Sequence, residues 1–238
     1  MVIPIYDHSP FKWPTPPYVM WGLLIVNFAI FFFDAIVAPD SIAAIDHLAG
    51  LTPAALGGGA DSATTLPVPV TLVTYMFLHA NFMHVFGNMI FLFVFGDDIE
   101  EAIGHWRFLV FYLACGIGGG LAYVLSGPSS NIDLIGASGA VAGVISAYAM
   151  FRPCAKVTVL LGLIPLRLRA FWVLGFWVIT QIVYFANGTQ DGVAYACHLG
   201  GLITGAVLFF FMRPPGIRLF DCAHSEPVFG PEQAIPPR

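Results

Sequence analysis

The chain has 238 residues, of which 58% are hydrophobic and 10% are charged, whereas soluble domains carry about 25% charged residues. This composition excludes a water-soluble globule, a disordered chain and a fibrous protein, and it predicts an integral membrane protein held in the lipid bilayer. The net charge of −5 has the wrong sign for a nucleic-acid partner.

Six apolar segments are candidates for transmembrane helices, each of which needs about 20 mostly apolar residues. In chain order they are residues 19–38, a segment within 73–96, and residues 108–125, 135–151, 170–186 and 193–212. A further apolar run, residues 157–166, is too short to span and contains Pro165, so it predicts an interfacial or re-entrant connection. We therefore expect an all-α fold, a polytopic bundle of six transmembrane helices over residues 19–212.

The positive charges support this topology. If the N-terminus is inside, all 9 Lys and Arg residues fall on the inner side, which is a complete positive-inside bias. This bias predicts a cytoplasmic N-terminal segment over residues 1–18 and a cytoplasmic C-terminal tail over residues 213–238, which its prolines predict to be disordered. No organelle signal is apparent, so we expect a multi-pass protein of a bacterial inner membrane.

The 4 cysteines lie in predicted spans or on the inner side: Cys115, Cys154, Cys197 and Cys222. This placement predicts no disulfide framework. The sequence contains no C-x-x-C or H-E-x-x-H motif, so we expect neither a metal site nor a cofactor.

Polar residues within a span are costly and often functional, and the second predicted span contains a first cluster of them. His84 and Asn88 are four residues apart and share a helix face, whereas His79 lies off that face, near the mouth of the helix. The cluster alone is equally consistent with structural hydrogen bonding.

A second cluster, Gly136-Ala-Ser138-Gly, opens the fourth predicted span, where helical N–H groups lack partners. A third centres on His198 in the sixth span, next to a face of small residues that allows close helix packing. Helix packing alone accounts for either motif. However, Ser138 and His198 both lie roughly 5–8 Å below the outer end of their spans, so the three clusters converge on one level.

Together these residues resemble the rhomboid family of intramembrane serine proteases. The family's H-x4-H-x3-N, G-x-S-G and H-x2-G-x3-G motifs occur in the second, fourth and sixth spans, in the family's order. The resemblance covers roughly residues 17–212. It implies a rhomboid-like six-helix fold and a serine endopeptidase that cleaves transmembrane segments of single-span membrane proteins near their outer end.

The resemblance also implies a role for each residue. Ser138 corresponds to the nucleophile and His198 to the general base and acid of a Ser-His dyad. Asn88 and His84 correspond to donors to the oxyanion, together with the Ser138 N–H, and His79 to a residue that supports the loop or His84. Where some members have an aromatic residue that stacks on the histidine, this chain has Ala142, so what orients His198 is left open.

Two alternative functions remain open at this level. A catalytically inactive relative would only bind membrane proteins, although both members of the dyad are present. A transporter would show paired charges or repeated halves, and we find no internal repeat. The fifth span carries bulky residues, among them Trp172 and Trp177, and we expect it to act as a movable lateral gate. The sequence specifies neither the physiological substrate nor the oligomeric state.

Overall fold

The computed structural model describes residues 2–8, 16–37, 42–56 and 66–222. Within these ranges the chain is mostly helical. Its elements are β1 (Val2–Asp7), α1 (Tyr18–Val37), α2 (Ile42–Ala49), α3 (Pro53–Leu56), α4 (Val68–Thr74), a 3-10 turn (Tyr75–Phe77), α5 (Phe82–Ile103), α6 (His105–Ser126), α7 (Ser138–Phe151), β2 (Lys156–Leu161), β3 (Ile164–Arg169), α8 (Ala170–Ala186) and α9 (Tyr195–Met212).

Four of the described helices, α1, α5, α6 and α9, are long and apolar enough to cross a bilayer. They match the first, second, third and sixth predicted spans. The fourth and fifth predicted spans correspond to α7 and α8, which have only 14 and 17 residues and fall short of the usual length. The polytopic character is thus confirmed, whereas the count of six remains a prediction.

Helix α5 begins nine residues after the predicted start of the second span, for a local reason. The side chain of Asn81 accepts a hydrogen bond from the backbone N–H of His84 at 2.9 Å, and such an N-cap fixes the first turn of a helix. The residues before it form α4 and the 3-10 turn instead. This start places His84 and Asn88 in the first two turns of α5.

Helix α1 is anchored to the far end of α5. Glu100 is buried, and its carboxylate accepts hydrogen bonds from the backbone N–H groups of Val19 at 3.0 Å and Met20 at 2.6 Å. These N–H groups belong to the first turn of α1, which has no intrahelical partners for them. The buried charge thereby caps the first candidate spanning helix.

A three-stranded antiparallel sheet in the order β1-β2-β3 lies at the end of the bundle where α7 ends. The all-α prediction is therefore wrong in this part. The run 157–166, expected to be an interfacial or re-entrant connection, lies within the β2–β3 hairpin, and its position at the membrane stays a prediction. Val157 and Val159 of β2 are buried and alternate with more exposed neighbours, which is typical of a strand with one covered face.

Strand β1 carries a buried carboxyl group against the bundle. Oδ2 of Asp7 accepts a hydrogen bond from the Tyr148 hydroxyl at 3.0 Å. Nearby, the Arg152 Nε contacts Oδ1 of Asp98 at 2.7 Å. Burial, reinforced by the charge of Asp98, raises the pKa of Asp7 to about 9.

The first part of the C-terminal tail packs on the same end of the bundle. Cys154 and Cys222 form a disulfide, so the expectation of no disulfide is wrong, and Phe220 N–H donates to the Met150 carbonyl at 2.8 Å. Disulfides are rare in the reducing cytosol, which sets this bond against the predicted cytoplasmic placement. The remainder of the predicted disordered tail, residues 223–238, lies outside the described residues.

Candidate active site

Helices α7 and α9 touch through their glycines. A Cβ atom on Gly201 would collide with the carbonyl of Gly139, and one on Gly205 would collide with the backbone of Gly143. The two contacts run in the same direction along both helices, so the helices are parallel. Because Ser138 immediately precedes the first contact and His198 lies one turn before it, both residues occur at the same end of the helix pair.

Ser138 is the first residue of α7 and is partly exposed. The backbone N–H groups at this position have no partners within the helix. Both Ser138 and His198 are described, and no hydrogen bond joins the serine hydroxyl to the imidazole. Hydrogen bonds between catalytic groups are often long without substrate, and the structure supports proximity of the two residues rather than a formed bond.

The imidazole of His198 is 8% exposed and contacts a residue that the sequence analysis missed. Its Nδ1 lies 2.7 Å from Oε1 of Gln181 on α8, and Gln181 is itself 6% exposed. The ring of Trp177, one turn earlier on α8, lies 5.8 Å from the imidazole at 35°. A glutamine inside an otherwise apolar span is a signal of the kind that pointed to His198, so Gln181 could have been found by the same reasoning.

The predicted oxyanion residues of α5 face the turn before Ser138. Nδ2 of Asn88 is buried and has no hydrogen-bond partner among the described residues. A Cβ atom on Gly136 would lie 3.6 Å from this nitrogen and 2.6 Å from Nε2 of His84. Gly136 also has a φ of +116°, a conformation that favours glycine. Two amide or imidazole nitrogens of α5 therefore converge beside the backbone that leads into Ser138.

His79 supports this turn from the other side. Its Nε2 accepts a hydrogen bond from the Ala137 N–H at 3.4 Å, and its ring meets the His84 ring edge-on at 5.0 Å. Because Nε2 of His79 accepts this bond, it carries no hydrogen, and the ring contacts both the turn before Ser138 and His84.

The described residues include no group of three or more His, Cys, Asp or Glu side chains that could hold a metal ion. The histidines of the site are accompanied by amides and a hydroxyl instead. The expectation of a site without metal or cofactor stays a prediction.

Comparison with known proteins identifies the family of this chain. A family model described as "Rhomboid domain" matches residues 68–215, which include all three polar clusters. Rhomboid protease AarA of Providencia stuartii is 32% identical over 146 residues, which cover 56% of this chain and 52% of the relative. Rhomboid-like protein 11, chloroplastic, of Arabidopsis thaliana is 29% identical over 158 residues, with coverage of 61% and 53%.

A mammalian relative, Rhomboid-related protein 2 of Mus musculus, is 28% identical over 155 residues, with coverage of 63% and 48%. The chain spans about half the length of these curated relatives. The family match extends over more than half of this chain and includes α4 to α9. The chain belongs to the rhomboid family.

Proposed function

We propose that this chain is an intramembrane serine endopeptidase that uses a Ser138–His198 dyad to cleave transmembrane segments of single-span membrane proteins. The observation that carries the proposal is the unpartnered, buried amide of Asn88, which faces the turn into Ser138. A buried donor without a partner costs free energy, and a transient oxyanion would provide the missing acceptor. The names of the relatives, which include proteases, support the same reaction class.

The first half of the reaction forms an acyl-enzyme. The Ser138 hydroxyl oxygen attacks the carbonyl carbon of the scissile peptide, while Nε2 of His198 takes the hydroxyl proton. When the tetrahedral intermediate collapses, the C–N bond breaks and the imidazolium returns this proton to the leaving amine. Water then attacks the ester in the same manner, with His198 again as base, and releases the carboxylate and the free serine.

The negative charge of each tetrahedral intermediate requires donors. Nδ2 of Asn88 and the backbone N–H of Ser138 are the principal candidates, and Nε2 of His84 is a further one. One preorganised donor of this kind is typically worth about 3–4 kcal/mol of the barrier. His79 contributes indirectly, because it holds the Ala137 N–H and packs on His84.

The short length of α7 supports a site sunk below the membrane surface. Its 14 residues extend about 21 Å, whereas the hydrocarbon core is about 30 Å thick. If the sheet end of α7 lies at one interface, Ser138 lies about 9 Å inside the other. With α8 as the remaining short helix, the bundle would comprise six crossings, and the site would open toward one side of the membrane.

A substrate that reaches this depth must present an open backbone. Peptide bonds within a transmembrane helix are already hydrogen-bonded, so the substrate helix has to unwind near its outer end.

We further propose that both termini are cytoplasmic in a bacterial inner membrane, because the Lys and Arg residues favour that side. Labelling of Cys154 and Cys222 with a membrane-impermeant maleimide, with and without prior reduction, tests this orientation and the state of the disulfide.

A fluorophosphonate probe tests the chemistry directly. Attack on the probe forms a bond between the serine oxygen and phosphorus and releases fluoride, and it requires the activated hydroxyl but no unwound substrate. We expect the purified protein to be labelled, and both Ser138→Ala and His198→Ala to abolish labelling. Cleavage of a panel of tagged single-span proteins should follow the same pattern. Absence of labelling in the folded wild-type protein would instead favour an inactive relative that only binds membrane proteins.

A further inference from the structure

We infer that Gln181 is the positioning residue of His198, and that through it α8 determines whether the imidazole is ready to act as a base. This inference rests on the proposed function. It answers the question that Ala142 leaves open, because no aromatic ring of α7 at that position can orient the imidazole.

The orientation of the Gln181 amide is fixed by its other contacts. Nε2 of Gln181 lies 3.3 Å from the carbonyl oxygen of Trp177 and 3.2 Å from the hydroxyl of Thr180. A carbonyl oxygen only accepts hydrogen bonds, so the atom beside it has to be the NH₂ group. The oxygen of the amide therefore points at Nδ1 of His198.

This contact selects one tautomer of the imidazole. An amide oxygen has no proton to donate, so Nδ1 of His198 carries the hydrogen and donates it across the 2.7 Å contact. Nε2 is then left with its lone pair, which is the form that can take a proton from a serine. Free histidine prefers the other tautomer, with the hydrogen on Nε2, so Gln181 holds His198 in the form that is less populated in solution.

The same contact favours the charged form during the reaction. When His198 takes the serine proton, its Nδ1–H becomes a more strongly polarised donor, and a hydrogen bond from an ionised group is stronger than one from a neutral group. Gln181 thus stabilises the imidazolium more than the resting imidazole. The amide provides, without a buried negative charge, the orienting function that a carboxylate provides in a catalytic triad.

Helix α8 holds the imidazole at two points. Trp177 and Gln181 are one turn apart on this helix, and both lie against His198. Among the described residues of α8, the buried ones are Ala170, Val173, Leu174 and Gln181, so Gln181 alone is buried in the half of α8 near the site. If this half of α8 is displaced, as a lateral gate requires, Nδ1 of His198 loses the amide oxygen of Gln181 as its acceptor. The imidazole is then no longer held in one tautomer. Base activity and the position of α8 are therefore coupled.

Three variants test the inference. Gln181→Met keeps the length and the unbranched shape of the side chain but removes the acceptor, whereas Gln181→Glu keeps an acceptor oxygen. Gln190→Met is the matched control, since Gln190 is exposed in the loop after α8 and bonds only to the Gly188 carbonyl among the described residues. Each variant is purified in detergent as the full chain and checked by thermal unfolding.

The first readout is the rate of fluorophosphonate labelling, with the steady-state cleavage of a membrane substrate alongside it. We expect Gln181→Met to lower the labelling rate and kcat by about 10- to 100-fold, with KM unchanged and the protein still folded at the assay temperature, although the lost buried hydrogen bond lowers its thermal stability. Gln181→Glu should restore much of the rate, and Gln190→Met should match the wild type. Labelling of Gln181→Met at the wild-type rate would overturn the inference while the proposed function stands.

The second readout does not depend on activity. Nitrogen-15 chemical shifts of labelled histidine distinguish the two neutral tautomers, and His198→Phe identifies the signal of His198 by its loss. We expect the Nδ1–H form in the wild type and a shift toward the Nε2–H form in Gln181→Met. The same tautomer in both proteins would refute the role of Gln181, even if labelling failed and the proposed function had to be abandoned.

Discussion

The variant Asn88→Ala tests whether the amide of Asn88 acts in catalysis or only stabilises the fold. Its Nδ2 is buried without a partner, so the substitution removes no hydrogen bond of that group in the resting protein. If this nitrogen meets the oxyanion, the loss of one donor raises the barrier by about 3–4 kcal/mol. At about 1.36 kcal/mol per tenfold change in rate, kcat falls by a factor on the order of 100 to 1,000.

The effect of Asn88→Ala on folding should be small. Relief of an unsatisfied buried donor returns about 1–3 kcal/mol, which offsets most of the packing lost with the side chain. Asn27 provides the matched control, because it is fully buried in α1 and also has one unpartnered amide atom, Oδ1, among the described residues, but its Nδ2 donates to the Leu23 carbonyl at 2.8 Å. Asn27→Ala loses both the bond and the packing, so we expect lower stability with nearly normal kcat.

Steady-state cleavage and thermal unfolding, measured on both variants in the same detergent, are the assays. The expected results are opposite: activity falls in Asn88→Ala and stability falls in Asn27→Ala. If Asn88→Ala were as active as the wild type, or lost activity only in proportion to its unfolding, the assignment of Asn88 to the oxyanion would be wrong.

Three further predictions concern other parts of the molecule. Gly136→Ala should abolish labelling by the fluorophosphonate probe, because a Cβ atom at this position collides with His84 and the positive φ of residue 136 is strained for alanine. Normal labelling would show that the turn is not required. Phe91 and Trp177 pack with ring centroids 6.4 Å apart. In a variant with cysteines at both positions, crosslinking should block membrane substrates but not the small probe, each measured against the same variant before crosslinking, because loss of the Trp177 ring alone affects His198. Substrate cleavage unchanged by the crosslink would exclude a gate at α8. The folded protein retains a proton on Asp7 up to about pH 9, whereas the unfolded chain has already released it, so stability falls as the pH rises. Asp7→Asn should make this fall less steep in thermal unfolding measured between pH 4 and 9. Equal slopes in both proteins would contradict the prediction.

The helices could be predicted where hydrophobicity alone sets their limits. Helix α8 has the predicted bounds, residues 170–186, since Arg169 and Asn187 flank a run that is apolar except for Thr180 and Gln181. The start of α5 could not be read in this way, because residues 73–78 are apolar too and the cap at Asn81 decides the boundary. A cap depends on a single hydrogen bond, which the average hydropathy of a window does not register.

The sheet was missed for a different reason. Its two outer strands, β1 and β3, are separated by about 150 residues of chain and meet only through β2. The apolar run of β2 and β3 does not predict a strand by itself, because a short run of this kind is compatible with a strand or a buried helix. Only the pairing of Val2 with Leu161 and of its neighbours makes it a sheet.

Most residues of the candidate site could be predicted from sequence spacing, whereas Gln181 of α8 could not be placed in the site in this way. The glycines that follow Ser138 and His198 at intervals of four indicated two closely packed helices, and the structure has this contact. Gln181 could be singled out as a polar residue in a mostly apolar helix, but nothing in its spacing relates it to His198. Its role is visible only because α8 packs at an angle that brings one amide onto one imidazole.

The site brings two groups of unsatisfied hydrogen-bond donors to one place. Folding leaves few buried donors without acceptors, because each costs about 1–3 kcal/mol, and the N–H groups at the start of a helix are usually capped. Here an unpartnered Asn88 nitrogen lies beside the turn that begins α7, and the N-cap residue Ala137 has no side chain that could cap it. Both deficits would be corrected by a single negatively charged oxygen between them. The proposed reaction forms such an oxygen, because the oxyanion of its tetrahedral intermediate would accept from both groups.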